Sequence, residues 1–295
     1  MNNSKFWSIL SNGVMILFSV LSLLPFVLLV IASFTDNQWA LANGYSFFPG
    51  KWSMDAYRYI ATEWDTIGRA YLVSISVTLA GSFISICISS MLAHALSNSR
   101  LPGGRILNFL CVFTMLFGGG QVASYYVWSN IFHIRDTAFA LVLPNLLMSA
   151  FNVILFKNYF TVNIPASLKE AARMDGCGEF RMFWRIIMPM SLPITATVGL
   201  MTGLAYWNDW TNGLYYLSQR NGSKYYTVQL LLNQINENIA WIVSNGSTVT
   251  VNASEIPSTT IRMAIAVVGV LPVMVIYPFL QKYFVKGITI GAVKE

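Results

Sequence analysis

The sequence predicts an all-α integral membrane protein with six transmembrane helices, and three observations carry that expectation. Only 10% of its 295 residues are charged, against roughly 25% in ordinary soluble proteins. The hydrophobic share is 55% and the mean hydropathy +0.57, so 18 Lys+Arg and 12 Asp+Glu cannot cover a soluble core of this size. The charges are also unevenly spread. Six stretches of at least 19 residues contain none of them, and a charge at the bilayer centre is expensive enough for such gaps to mark spans.

Taken in order, the gap between Lys5 and Asp36 holds a first span near 13–34. Its apolar run is too long for a signal-peptide core and no clear A-x-A site follows, so it reads as an uncleaved helix. Residues 35–70 carry Trp39, Trp52 and Trp64, which suit an interfacial belt or short surface helices. Arg69 to Arg100 brackets a span near 71–97, with His94 at its end read as interfacial. Arg105 to Arg135 brackets one near 106–129, and Asp136 to Lys157 one near 137–157. Arg185 to Asp209 gives 190–210, and Arg262 to Lys282 gives 261–283. The loop at 211–260 is rich in Asn, Ser, Thr and Tyr, with a helical apolar spacing at Val228, Leu231, Leu232 and Ile235. Its Asn-x-Ser sequons at Asn221, Asn245 and Asn252 match a glycosylation pattern, and a turn-forming polar loop is the favoured reading of them. The expected organisation is an N-terminal helix and outer loop (1–70), a transmembrane domain (71–284) and a C-terminal tail (285–295).

Charge bias sets the expected orientation. With the N-terminus inside, the inner side holds eleven Lys/Arg and four acids, the outer side seven and eight, a net of +7 against −1. Both termini are then cytoplasmic in a multi-pass protein. The overall +6 reflects this bias rather than a nucleic-acid surface. Cys87, Cys111 and Cys177 form no C-x-x-C pair, so neither a disulfide framework nor a metal site follows.

Small residues recur at four-residue spacing: Gly81, Ser85 and Ser89 on the second span, Gly199 and Gly203 on the fifth. They fit packing against a partner subunit or within the chain's own bundle.

The segment between the fourth and fifth spans, 161–193, carries the most information. Ser167 can cap a helix with Glu170 completing a capping box. Leu168, Ala171 and Ala172 then share a face that can enter a groove, and Gly176 supplies the positive φ that ends the helix. A second helix can begin near Gly178, with Phe180, Phe183 and Ile187 as its apolar stripe, until Pro189 and Pro193 redirect the chain. On the residues alone two readings stand: an amphipathic loop resting on lipid headgroups, or a compact docking knob.

Glu170-Ala171-Ala172, then Asp175-Gly176, Phe183, Pro189 and Pro193 resemble the EAA signature of ABC-importer permeases. Phe117-Gly-Gly-Gly120, Trp207-Asn-Asp-Trp210 and Gln281-Lys-Tyr-Phe-Val-Lys-Gly287 extend the similarity over nearly the whole chain. They resemble the carbohydrate permeases related to the maltose system's second membrane subunit, and within them the complex-oligosaccharide and lipoprotein-associated polysaccharide transporters. Two positions depart from the pattern: Cys177 stands where the family has alanine, and Val122-Ala-Ser-Tyr125 replaces a proline-containing stretch.

The resemblance implies a type I importer permease of the bacterial cell membrane. Glu170, Ala171, Ala172, Asp175 and Gly176 would form its coupling helix, seated in a cleft of an ATPase subunit. Implied partners are a second homologous permease, two ABC ATPases binding ATP and Mg, an extracytoplasmic sugar-binding protein and an oligosaccharide substrate. The chain itself has no cofactor and, lacking any G-x-x-x-x-G-K-[ST], is not the nucleotide hydrolase.

Sugars offer apolar faces and many hydroxyls, so aromatics and amides are the expected path lining. Gln121, Tyr125, Asn152, Trp207, Asn208 and Asp209 are such residues in or near spans; an interhelical hydrogen bond is the competing use of each. Three other classes compete with this reading. An ion-coupled transporter needs ionisable groups deep in the membrane, whereas Asp209 is the only acid near a span and lies at its outer end. A membrane enzyme lacks paired carboxylates, H-E-x-x-H or a nucleophile–base pair. An ABC permease for non-sugar cargo shares the EAA loop and remains open on these residues.

Overall fold

The computed structural model describes residues 2–98, 101–245 and 259–292. Among them the structure is helical, apart from one isolated antiparallel bridge between Thr35 and Trp52. The sequon at Asn252 and the end of the tail, 293–295, lie outside the described residues.

Helix α1 (Asn2–Ser33) is apolar on every side, and its side chains from Trp7 to Val27 are exposed. A helix of that kind belongs in lipid. Ser19 and Ser22 satisfy their hydroxyls by donating to the carbonyls of Met15 and Phe18 at 2.8 Å. Asp36 then caps α2 (Asn37–Asn43) by accepting the Trp39 N–H at 3.0 Å. Helix α3 (Asp55–Thr62) precedes α4 (Trp64–Ser97). At 34 residues, α4 is about 51 Å long, well beyond the hydrocarbon core.

The next two expected spans are not continuous helices. α5 (Gly104–Leu116) and α6 (Gly120–Tyr126, continued by a π-helical turn Val127–Ile131) meet at 115° across the glycine run, where Gly120 sits at φ +77°. The expected span at 137–157 divides into α7 (Phe139–Val142) and α8 (Ala150–Val162) around Pro144 and Asn145, the latter at φ +62°. Proline has no N–H for the helix ladder, so the charge-free stretch cannot run straight.

Helix α9 (Ala166–Met174) is followed by α10 (Glu179–Met182), a π-helical turn (Phe183–Ile187) and α11 (Met188–Met190). A bend of 84° leads into α12 (Leu192–Trp207). The prolines at 189 and 193 fall on either side of this bend. α13 (Thr211–Tyr216), a 3-10 turn (Ser223–Tyr225), α14 (Val228–Asn245) and α15 (Thr259–Ala292) complete the chain. Among the described residues, three helices are long and apolar enough to cross a membrane, or five crossings if each bent pair counts once. The expected six are thus not reproduced as six uninterrupted helices.

Two compact units result, Met1–Gly68 with Leu231–Pro272 and Arg69–Leu230 with Val273–Glu295. The second has two cores, one toward each end of α4 and α12. Ala93, Leu96, Phe156, Phe160, Ile187 and Val198 centre one; Val77, Leu141, Tyr206, Tyr216 and Leu230 centre the other. Val77 and Ala93 are 16 residues apart on α4, about 24 Å along its axis. Between them the helices touch closely. A Cβ on Gly81 would meet the Tyr206 ring at 2.5–2.8 Å, one on Gly199 would meet Ile86 at 3.3 Å, and Gly203 faces Ser82 and Thr78. These glycines therefore serve packing within the chain's own bundle.

Candidate functional site

Helix α9 stands on the first core. Leu168 and Ala172, one turn apart, face inward: Ala172 is buried and Leu168 packs against the cluster. Lys169 donates to the Phe160 carbonyl at 3.1 Å; its burial, with the Arg173 cation beside it, holds its ammonium below the usual lysine range despite Glu179. Arg173 binds Glu179 at 2.8–2.9 Å, and the other carboxylate oxygen of Glu179 lies 3.3 Å from His94 Nε2. His94 also packs on Phe183, ring centres 5.5 Å apart. The residue read as merely interfacial thus helps tether α9 to the end of α4 and to α10.

Ser167, Glu170, Ala171 and Met174 point to solvent, at i, i+3, i+4 and i+7. The expected face of Leu168, Ala171 and Ala172 is therefore split: Ala171, about 100° around the helix from Ala172, lies on the outer strip. The sequence reading missed Met174, which is 87% exposed; its i+4 spacing from Glu170 was the available signal.

The expected capping box is also corrected. Pro165 occupies the N-cap, with extended ψ 136° and no side-chain cap bond, so the helix starts at Ala166 and Ser167 lies inside its first turn. The other end matches its reading. Gly176 sits at φ +74°; its N–H donates to Arg173 at 3.0 Å, and the Cys177 N–H to Ala172 at 2.9 Å. These two bonds make a Schellman stop. Gly178 caps α10 as expected, but Phe180 is 67% exposed instead of joining Phe183 and Ile187 in the core, where Met182 packs.

The path candidates serve several ends. Asn152 donates to Thr202 Oγ1 at 3.1 Å, a buried bond between α8 and α12. Trp207 is buried beside Tyr71, ring centres 6.4 Å apart. Asp209 accepts the N–H groups of Thr211 and Asn212 at 3.1 and 3.2 Å and so starts α13. Tyr125 stacks on Tyr216 at 5.7 Å. Asn208 is exposed and accepts from Gln229 at 3.5 Å, while the buried amide nitrogen of Gln121 has no hydrogen-bond partner. Trp207, Asn208 and Asp209 follow one another at the end of α12; Gln121 stands apart on α6.

Residues 2–290 match the family of binding-protein-dependent transport system inner membrane components. The chain is 38% identical over 295 residues to the polygalacturonan/rhamnogalacturonan transport system permease protein YtcP of Bacillus subtilis, covering 99% of each. It is 35% identical to Protein LplC of the same species, covering 93% of this chain and 90% of that one. Its fold is similar to that of a bacterial ABC transporter involved in import of the acidic polysaccharide alginate. There the TM-score is 0.79 at 25% identity, over 96% of this chain and 98% of the other.

Proposed function

From the premise that this chain belongs to the binding-protein-dependent transport system inner membrane components, we propose that it is the permease subunit of an ATP-driven importer for oligosaccharides or polysaccharide fragments. Membership makes it a membrane transport component and not an enzyme; ATP and Mg are handled by separate ATPase subunits. The cargo class rests on relatives whose names specify polygalacturonan/rhamnogalacturonan and alginate. A galacturonan is a uronic-acid polymer, and alginate is described as acidic.

The observation that carries the coupling role is the two-sided construction of α9. Its inner side is fixed to the core by Leu168, Ala172 and the Arg173–Glu179–His94 bridge, while Ser167, Glu170, Ala171 and Met174 form a free strip. A strip so anchored transmits force rather than yielding to it. ATPase closure against Glu170, Ala171 and the Asp175-Gly176 end would move α9, and through the shared core the inner ends of α4 and α12. The path role goes to Gln121, Tyr125 and Asn208 as sugar-facing groups, with Asn152, Trp207 and Asp209 holding the wall. The loops at 35–70 and 211–260 would face the sugar-binding protein, and the termini the cytoplasm.

Purification of the tagged chain from native membranes in mild detergent, with mass spectrometry of what accompanies it, tests this reading. A second permease, an ABC ATPase and a sugar-binding lipoprotein are expected. The chain alone, even after gentle cross-linking, would overturn it.

A further inference from the structure

Arg262 is the fourth residue of α15, inside the stretch Thr259–Ile276 that is apolar and long enough to cross a membrane. The residue is half-buried, and Ile265, one turn on along the same side of the helix, is 4% exposed. Its Nε is buried without a hydrogen-bond partner, and among the described residues no carboxylate forms an ion pair with it. Three costs coincide there. A guanidinium cannot shed its proton to relieve a buried Nε, the N-terminal turn of a helix repels cations, and a buried donor left without an acceptor costs its desolvation. An anion from outside this chain would offset all three.

We propose that Arg262 is a specificity residue that binds the carboxylate of a uronate-containing oligosaccharide during import. This rests on the carbohydrate reading above and deepens it. The free atom has the right chemistry, because Nε and one Nη together form a side-on pair of donors matched to the two oxygens of a carboxylate. A neutral sugar hydroxyl leaves the charge uncompensated. The cargoes named for the relatives at 38% and 25% identity include acidic polymers, which supply one carboxylate per uronic residue.

The test uses the assembled transporter in proteoliposomes with two probes of equal length, trigalacturonate and its carboxyl-reduced trimer. The readout is the ratio of their uptake. Wild type should favour the acid, and Arg262→Gln should lower the ratio about tenfold, roughly what one charge-assisted hydrogen bond contributes. Arg262→Lys should retain part of it. An unchanged ratio, or equal loss of both probes, would overturn the assignment; equal loss would point to folding or to an acid on the partner permease. A ratio that follows the anionic lipid content of the vesicles would place a headgroup phosphate at Arg262 and overturn it too. If wild type moves neither trimer, the carbohydrate reading itself fails and takes this one with it.

Discussion

At Gly176 the cost of any side chain is conformational. An added Cβ would meet nothing within 4 Å, but φ is +74°, and the left-handed region costs an L-residue about 1–2 kcal/mol. Gly176→Val, β-branched as well, should insert in the membrane at normal level and lose uptake, because the exit of α9 no longer holds its direction. Normal uptake by that variant would refute the hinge role. Asp209 allows a different test. Its carboxylate accepts the Thr211 and Asn212 N–H groups that begin α13, so Asp209→Ala should cost about 1 kcal/mol, the usual loss for a helix-starting acceptor, read as a lower unfolding midpoint in detergent. An unchanged midpoint would mean that those two bonds carry no stability. Gly176 was legible because an Asp-Gly pair after two helical turns is a stop signal. The helix start was not, since Pro165 and Ser167 are competing start signals two residues apart and only tertiary packing selects one.

Between elements, the contact of α4 with α12 is decided by Gly81. An added Cβ would lie 2.5 Å from the Tyr206 ring, whose hydroxyl is held by the Val142 carbonyl at 2.8 Å. The ring cannot swing away without breaking that bond. Gly81→Ala should therefore cost about 1–3 kcal/mol, the usual range for overpacking, read as a lower unfolding midpoint in detergent. In a Tyr206→Ala background most of that cost should vanish; equal cost in both backgrounds would mean the two residues do not couple. The small residues that permit this approach were visible as a spacing, although the sequence could not say which helix they face. The broken elements were less legible. Charge-free length registers that a segment belongs in the membrane, but it is blind to Gly118–Gly120 and Pro144, where missing side chains or a missing N–H interrupt the ladder. Hence α5 with α6, and α7 with α8, each read as one straight span.

For the whole molecule, the decisive question is which side of the membrane each end faces. Composition made the membrane fold legible, and the EAA pattern made the segment proposed for coupling legible. Sidedness rests on the charge bias alone, and the bias is strong because Lys and Arg concentrate in the segments flanking and including α9. Moving such a set of cations across the bilayer is what insertion avoids. Two side chains make the expectation measurable. Met174 is 87% exposed on the outer strip of α9, and Phe48 is 90% exposed in the loop between α2 and α3. Replacing each singly with cysteine, in a background where Cys87, Cys111 and Cys177 are alanine, gives probes that a membrane-impermeant maleimide reaches from one side only. Phe48→Cys should label in intact cells and Met174→Cys only in inverted vesicles. The reverse pattern would put the coupling strip outside, where no ATP-hydrolysing partner could meet it, and the coupling role of α9 would fall together with the orientation. Labelling of both from the outside would show that the number of crossings between positions 48 and 174 is even. With two of the intervening helix pairs bent or broken, that parity is the property the charge pattern leaves most in need of measurement.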